Sequence, residues 1–305
     1  MTRTFSCRQH STAKPAKPIA LQRHIHYNFA LQERPFETVL SWHLLPIQTG
    51  YSYVTMHTIL IDVGNTSTNI GRYQAGRVSH VTNLRQGLTD LIPVEKALHH
   101  AGAADAAAAI LSSTTPATTP QWSWLLQRLF DLNPVILTHQ TPLPIGIRYQ
   151  QPETIGPDRL ANACAAAILH GAPAIVADFG TALTFDILAA DRHYIGGVIA
   201  PGLPLMTDYL YEKTALLPQI TLEGSIEPIG TSTIAAMRIG ARVGYRGMVR
   251  ETIDYLRQTT GPETHLCATG GYAAWALEGL DLPFAINPHL TLQGLGLILS
   301  HNLAN

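Results

Sequence analysis

A short apolar run that carries an aspartate near its end and leads into a polar glycine turn occurs twice in this sequence. The first copy, ILIDVGNTSTNIG, begins at Ile59, and the second, IVADFGTALTFDI, begins at Ile175. At this constant offset of 116 residues, Asp62 matches Asp178. Each copy predicts a strand, a tight turn and a second strand. The repeat indicates a duplicated domain, with chance similarity in an alanine-rich chain as the alternative.

Helical and strand periods alternate along the rest of the chain. Pro157 suits the first turn of a helix and Gly171 suits its C-terminal cap, so a helix is predicted between them. The segment GGVIAPGLPLM, which begins at Gly196, is predicted to be a loop that leads into a helix. Further helices are predicted at residues 91–101, 121–132 and 290–303, as a short helix that ends at 277, and over 232–259 as one helix or a pair. Strands are predicted at 58–63, 134–138 and 265–268. This mixture predicts an α/β protein.

Composition and charge narrow the class of protein. A length of 305 residues suits two domains. Charged residues make up only 13 % of the chain, which predicts a surface partly covered by a partner subunit. A net charge of -1 predicts no general attraction to nucleic acid or to an anionic membrane, and no apolar stretch is long enough for a membrane span. Cys7, Cys164 and Cys267 lie far apart, which suits a reducing cytoplasm.

The first 55 residues differ from the rest because they carry six Lys or Arg and only two Asp or Glu. They lack the apolar core and the cleavage site of a secretion signal. We predict that residues 1–55 are an N-terminal extension, disordered or not translated, upstream of a working start at Met56, with a targeting peptide as the alternative. The predicted domains are residues 56–160 and 161–305.

Asp62 and Asp178 are the first candidates for chemistry, since each ends a predicted buried strand and precedes a glycine turn. Such a turn lets backbone N–H groups approach an anion, while the carboxylate beside it holds a cation. A single copy would more simply be an aspartate that caps its own turn. Two copies that face each other favour a site for a nucleotide phosphate chain with its metal.

Three further segments are weaker candidates. The tetrapeptide at 156–159 places an acid and a base at a predicted helix start, and phosphoryl transfer needs a carboxylate to accept a hydroxyl proton; an ordinary helix start is the alternative. Gly270 and Gly271 would let the backbone approach a ring or a phosphate, or would form a plain turn. Thr233, at the start of the long predicted helix, would contact a ligand or belong to a cap.

Motifs typical of several other enzyme classes do not occur in the sequence. There is no GxxxxGK[ST] loop, no GxSxG, no HExxH and no clean GxGxxG after a strand. Walker-type ATPases, serine hydrolases, zinc hydrolases and dinucleotide-binding enzymes are therefore disfavoured.

Nine motifs in a fixed order resemble type III pantothenate kinase, a family within the acetate and sugar kinase, heat-shock ATPase and actin superfamily. They lie between Met56 and Asn302. The motifs are ILIDVGNTSTNIG, ILSSTTP, IRYQQPETIGPDRLANACAA, IVADFGTALTFD, GGVIAPGLPLM, TALLP, GTSTIAAMRIGARVG, CATGGYAAW and INPHLTLQGLGLIL. The extension at residues 1–55 is outside the family pattern, and Pro157 fills a variable position of GxDR.

The resemblance implies two actin-like (ribonuclease H-like) domains related by duplication, with ATP in the cleft between them. It implies phosphorylation of pantothenate at its primary hydroxyl, the first step of coenzyme A synthesis. It further implies Mg²⁺, a monovalent cation (K⁺ or NH₄⁺), and a homodimer with its site close to the subunit interface.

The resemblance also implies roles for individual residues. Asp158 would be the general base, Asp178 would bind the monovalent cation, and Asp62 would hold Mg²⁺ through the phosphates. ATP and its phosphates would lie against residues of both loops and of the later glycine pair, namely Asp62, Val63, Gly64, Asn65, Thr66, Ser67, Thr68, Asn69, Gly180, Thr181, Gly270 and Gly271. Pantothenate would lie against Tyr149, Gly156, Pro157, Asp158, Arg159 and Thr233.

Two other functions remain open from the sequence. One is a kinase or phosphatase of the same superfamily that acts on another compound, because a fold does not determine its substrate. The other is a non-catalytic paralogue that acts as a transcriptional accessory protein. Such a paralogue would be free to lose Asp158 or Asp178, and this chain keeps both. From Met56 onward it has 14 Lys or Arg and 19 Asp or Glu, which disfavours a nucleic-acid partner.

Overall fold

The structure, a computed structural model, describes residues 56–85, 88, 90–224 and 226–304. The predicted extension, with Cys7, lies outside them. Within these residues the strands form two sheets. The first contains β1 (Thr58–Val63), β2 (Thr68–Gln74), β3 (Arg77–Leu84), β4 (Ala108–Ser113) and β5 (Val135–Ile136). The second contains β6 (Gly146–Ile147), β7 (Ala174–Phe179), β8 (Ala182–Leu188), β9 (His193–Pro201), β10 (His265–Thr269) and β11 (Phe284–Ile286).

Helices lie between and after these strands. They are α1 (Leu91–Ala101), α2 (Thr119–Phe130), α3 (Pro157–Leu169), α4 (Leu203–Lys213), α5 (Thr233–Ile239), α6 (Tyr245–Thr260), α7 (Ala273–Leu277) and α8 (Leu290–Ala304). A π-helical turn at Gly240–Gly244 joins α5 to α6 without a break. Short 3₁₀ turns occur at Ala103–Asp105 and Pro152–Thr154.

The two sheets share one topology. The first has the order β3-β2-β1-β4-β5, and the second has the order β9-β8-β7-β10-β11, with β6 added beside β9. In each set of five, the first three strands along the chain pair antiparallel, the fourth adds in parallel to the first, and the fifth adds in parallel to the fourth. Asp62 and Asp178 each occupy the last position but one of the equivalent central strand. The α/β fold class and the duplication predicted from the repeat are confirmed.

Helices α3 and α8 pack together in a core that also takes side chains from both sheets, such as Leu60 and Val176. Small residues allow the close approach, because a side chain at Gly294 would overlap the Ala161 carbonyl. Neighbouring strand residues such as Ile59 face the opposite side of the sheet, where a second core forms with α1 and α2. The α3–α8 pair thereby fixes the first turn of α3 relative to both central strands.

Most predicted elements are observed, and one is corrected. Helix α1 has the predicted bounds, and residues 233–260 form the predicted long helix. Helix α2 ends at Phe130 because Asp131 turns left-handed, with φ of 54°. The predicted loop at GGVIAP is instead part of β9, where Gly197 pairs with Asp186 of β8. Among the described helices, none has the length and apolarity needed to cross a membrane.

Candidate active site

Asp62 is held in place by the strands on either side of β1. Its register partners are Asn69 on β2 and Ser112 on β4. The Ser112 hydroxyl donates to Asp62 Oδ1 at 2.9 Å. The side chain is thus fixed at the carboxyl end of β1, beside the turn that follows.

The first predicted phosphate loop is a tight turn with an accessible tip. The N–H of Gly64 donates to the Ser67 carbonyl at 2.9 Å. Asn65 and Thr66 at the tip are exposed. The flanking residues Val63, Thr68 and Asn69 belong to strands, and Val63 and Thr68 are buried. The turn itself therefore offers the backbone and hydroxyl groups that a ligand can reach.

The second predicted loop meets the first one across the site. Gly180 N–H donates to the Ala182 carbonyl at 3.1 Å, which leaves Thr181 exposed at the tip. The hydroxyls of Thr66 and Thr181 lie 2.8 Å apart although they are separated by 115 residues in sequence. The two copies of the repeat thus face each other, as an anion site shared by both turns requires.

Asp178 is oriented by a chain of two hydrogen bonds. Asn162 Nδ2 on α3 donates to Asp178 Oδ2 at 3.0 Å, and the Thr291 hydroxyl on α8 donates to Asn162 Oδ1 at 2.8 Å. Because Thr291 engages the amide oxygen, the amide nitrogen is the atom that faces Asp178. The packing of α3 against α8 therefore determines how this carboxylate is presented.

Gly270 brings a third turn against the end of β7. It has φ of 91°, and a Cβ at this position would lie 2.6 Å from Asp178 Oδ1 and from the Phe179 backbone. Only glycine accommodates both the left-handed backbone and this close approach. A Cβ at Gly271 would meet open space. The predicted glycine pair lies beside Asp178, with Gly271 on the accessible side.

Asp158 lies in the first turn of α3. Gly156 is the N-cap and Pro157 the first helical residue. Asp158 Oδ1 accepts from the Arg159 N–H at 2.9 Å, so the side chain satisfies one of the free donors of the helix start. A Cβ on Gly156 would overlap Asp158 Oδ1, which explains the glycine at this cap.

Three carboxylates share this region. Burial, together with the negative charges of Asp158 and Asp178, raises the pKa of Asp62 to about 7 from an ordinary 3.8. Burial and the charge of Asp158 likewise raise the pKa of Asp178 to about 6. Burial raises the pKa of Asp158 as well. This concentration of negative charge suits a site that receives cations or cation-bound phosphates.

Arg159 is paired with a fourth carboxylate, which is buried on β8. Its Nε donates to Asp186 Oδ1 on β8 at 2.6 Å, and the Tyr194 hydroxyl donates to the same oxygen at 2.9 Å. Tyr149 meets the Tyr194 ring edge to face at 5.9 Å between centroids and is itself partly exposed. Tyr149 and Arg159, predicted to line one site, are thus joined through Tyr194.

Thr233 is exposed at the start of α5, next to the N-cap Ser232. Within the described residues its hydroxyl makes no hydrogen bond, including none with Tyr149 or Arg159. The structure therefore does not join this predicted site residue to the others within one chain.

The residues at the two turns fit ATP with Mg²⁺. Among the described residues, no group of three or more His, Cys, Asp or Glu side chains is arranged to hold a metal ion alone. Mg²⁺ typically takes one or two carboxylates and completes its shell with phosphate oxygens and water. Asp62, with the exposed hydroxyls of Thr66 and Thr181, would provide that kind of partial site.

Comparison with known proteins agrees with this geometry. The family model of type III pantothenate kinase matches residues 58–255. The chain belongs to the type III pantothenate kinase family. A type III pantothenate kinase of Dehalococcoides mccartyi is 34% identical over 253 residues, covering 81% of this chain and 98% of the relative. One of Akkermansia muciniphila is 42% identical over 197 residues, covering 64% and 79%.

Solved structures agree on the fold of this family member. A protein of Campylobacter jejuni, described as a candidate Baf family transcriptional activator, aligns with a TM-score of 0.54 at 18% identity, covering 81% of this chain and 100% of that one. A candidate 2-dehydro-3-deoxygalactonokinase of Sinorhizobium meliloti aligns with a TM-score of 0.50 at 15% identity, covering 81% and 99%. At these identities the likeness concerns the fold alone, and it agrees with the duplicated α/β fold described above.

Several residues that shape the site received no role from the sequence. Ser112, Asn162, Asp186, Tyr194 and Thr291 are polar groups that orient the predicted residues. Asn162 lies one helical turn after Asp158, and this i, i+4 spacing was the available signal. Thr291 had no local signal, because its partner is 129 residues away.

Proposed function

We propose that this member of the family uses ATP to phosphorylate pantothenate at its primary hydroxyl, giving 4'-phosphopantothenate in the first step of coenzyme A synthesis. The position of Asp158 carries the proposal. Its charge acts on both Asp62 and Asp178, so a candidate base at a helix start lies next to the carboxylates of both phosphate turns. Family membership supports pantothenate as the acceptor.

Asp158 acts as the general base. An alcohol is a poor nucleophile at neutral pH, and a carboxylate within hydrogen-bond reach accepts its proton as the oxygen forms a bond to phosphorus. The O–H bond breaks and the proton moves to the Asp158 carboxylate. Burial raises the pKa of Asp158, which brings its basicity closer to the working pH.

The two turns bind the phosphates. When bound, ATP with Mg²⁺ would supply the γ-phosphoryl group, and ADP would be the leaving group. Neither turn contains a lysine, so backbone N–H groups and the hydroxyls of Thr66 and Thr181 take up phosphate charge. Asp62 would hold Mg²⁺ through the phosphates, and Gly270 and Gly271 would be the residues near the adenosine.

The acceptor lies on the other side of Asp158. Gly156, Pro157 and Arg159 belong to the same helix start, and Tyr149 reaches it through the contact with Tyr194. Thr233 completes the acceptor site in the family pattern. If the site lies at a subunit interface, the threonine would come from the partner subunit. The exposed position of Thr233 suits this arrangement.

The direct test is ATP-dependent release of ADP by the full chain with Mg²⁺ and K⁺. Pantothenate is compared with glycerol, acetate, a hexose and no acceptor. Release that requires pantothenate is the expected result. Release without an acceptor would indicate a phosphatase, release with another acceptor would indicate a different kinase, and no release from folded protein would indicate a non-catalytic paralogue.

Replacing Asp178 by asparagine is expected to weaken the binding of the monovalent cation. The amide keeps the hydrogen bond with Asn162 but loses the charge that attracts K⁺ or NH₄⁺. We expect the apparent affinity for K⁺ to fall about 10- to 100-fold, measured by titrating K⁺ against Na⁺ at constant ionic strength. The exposed Asp105, replaced by asparagine, serves as the control, and a wild-type K⁺ response in D178N would remove Asp178 from the cation site.

Exposed apolar side chains support a homodimer. They lie on β9, α4 and the long helix, and include Ile199, Leu205, Tyr209, Ile234, Val243 and Tyr255. Large exposed apolar surfaces of this kind favour association. The low fraction of charged residues agrees with a covered surface.

A charge placed on this surface is expected to separate the subunits. Val243 is 57% exposed, and V243D should shift the protein from dimer to monomer at micromolar concentration, measured by light scattering after size exclusion. W124D adds the same charge at a residue that is 63% exposed on α2, and it should leave the mass unchanged. A monomeric wild type, or equal effects of both variants, would contradict the dimer.

We further propose a cytoplasmic enzyme without a nucleic-acid or membrane partner. The excess of Asp and Glu over Lys and Arg from Met56 onward supports this. Cys164 and Cys267 are buried and unpaired, which suits a reducing compartment.

A further inference from the structure

Asp186 is a buried carboxylate that the proposed reaction does not use. It lies on β8 with no exposed surface. Burying a carboxylate is costly unless hydrogen bonds and an opposite charge compensate it, and even a compensated pair is often no more stable than apolar residues of the same volume. Stability of the fold is therefore a weak reason for Asp186, and its partners point to another one.

One oxygen of Asp186 takes both of its hydrogen bonds. Arg159 Nε and the Tyr194 hydroxyl donate to Oδ1, and Oδ2 has no partner among the described residues. A guanidinium that pairs with both oxygens of a carboxylate uses two of its nitrogens. Arg159 instead uses Nε alone, so its two terminal nitrogens keep their donors for another ligand.

The guanidinium is also held from its other sides. It lies 5.9 Å from the centre of the Tyr194 ring. Gly197 on β9 leaves space for Nη2, because a Cβ there would overlap both this nitrogen and the Phe185 carbonyl. Burial raises the pKa of Tyr194, so its hydroxyl stays protonated and continues to donate to Asp186. The fork of Arg159 is thereby restricted to one orientation.

We propose that Asp186 and Tyr194 are positioning residues that hold the Arg159 guanidinium with its terminal nitrogens directed to the acceptor. This rests on the proposed function, in which Arg159 binds pantothenate. In the described structure, the hydrogen bonds and ring contacts of the two positioning residues involve no residue of the phosphate turns. Their effect is accordingly expected on acceptor binding and not on ATP binding.

The test is steady-state kinetics of the full chain with D186N. The isosteric amide keeps the side-chain volume but loses the charge that holds Arg159. We expect KM for pantothenate to rise on the order of 10- to 100-fold. KM for ATP should stay within about twofold of wild type, the range typical of neutral substitutions. D191N removes a carboxylate that is exposed in the same hairpin and should leave both constants unchanged.

A double-mutant cycle shows whether Asp186 acts through Arg159. In the R159K background the fork is already lost, so adding D186N should raise KM for pantothenate little further. Y194F keeps the ring and the ion pair and should raise the same KM about three- to tenfold. If D186N fails to fold, the KM for pantothenate of Y194F tests the positioning role.

The outcomes separate this inference from the proposed function. A wild type without pantothenate-dependent turnover overturns the proposed function, and the positioning role with it. If the wild type is active, two results with the variants would overturn the positioning role alone. In one, D186N or Y194F changes both KM values equally or leaves KM for pantothenate unchanged; in the other, D186N and R159K add independently.

Discussion

Replacing Asp158 by asparagine is expected to lower kcat about 10²- to 10⁴-fold, the usual contribution of a general base. The amide has nearly the same shape but cannot accept the proton of the attacking hydroxyl. The fold and the binding of ATP should remain, because Asp158 Oδ1 makes its hydrogen bond within the first turn of α3. Single-turnover phosphoryl transfer at saturating pantothenate measures the loss, with the exposed D105N as control. Equal turnover in D158N would remove Asp158 from the base role.

The same variant should be more stable than wild type without ligands at pH 8. Asp62 and Asp178 have folded-state pKa values of about 7 and about 6, above the ordinary 3.8. The folded state then binds more protons than the unfolded state, so stability falls as pH rises from about 4 to 7. Removing the charge of Asp158 relieves part of this repulsion. The melting temperature should rise at pH 8, which is above the pKa values of Asp62 and Asp178, and change less at pH 5.

Replacing Arg159 by methionine is expected to destabilise the protein by about 3–5 kcal/mol at pH 8, because it leaves the Asp186 carboxylate buried without its cation. Burial raises the pKa of Asp186 and Arg159 opposes this, so loss of the guanidinium raises that pKa further. Protonation then limits the cost at acidic pH. Denaturant unfolding should therefore show a penalty that grows from pH 5 to pH 8.

The double variant R159M/D186N separates the loss of stability caused by the unpaired carboxylate from the loss caused by poorer packing. Removing the stranded carboxylate should restore most of the stability while pantothenate-dependent turnover stays low. A penalty for R159M that is independent of pH, or no recovery in the double variant, would mean that packing rather than the charge pair is responsible.

The local pattern of the chain determined the elements and their repetition. The ILIDVGNTSTNIG and IVADFGTALTFDI segments each encode a strand, a glycine turn and a second strand through contacts between near neighbours, and in each copy the aspartate lies one residue before the end of the first strand. Helix α1 is bounded by Asp90, whose side chain accepts from the Ile92 N–H, and by the left-handed Gly102. Such signals depend on a few adjacent residues, so they can be read without the fold.

Local pattern misread the segment after Gly196, because two adjacent glycines normally indicate a turn. The structure uses Gly197 within β9, where the missing side chain makes room for the Phe185 carbonyl and the Arg159 guanidinium. That requirement comes from residues on another strand and another helix. The sequence alone does not distinguish a glycine required by a distant neighbour from one required by a turn.

The sequence by itself determined the duplicated α/β fold, the two glycine turns that we expect to bind phosphate and, through its resemblance to the family, the expected reaction and the residues expected to perform it. Only the tertiary structure decided that Thr66 meets Thr181, that Thr291 orients Asn162 against Asp178, and that Asp186 holds Arg159. These pairs lie 115, 129, 16 and 27 residues apart. Their hydrogen bonds depend on how α3 and α8 pack between the sheets, and no local pattern encodes that geometry.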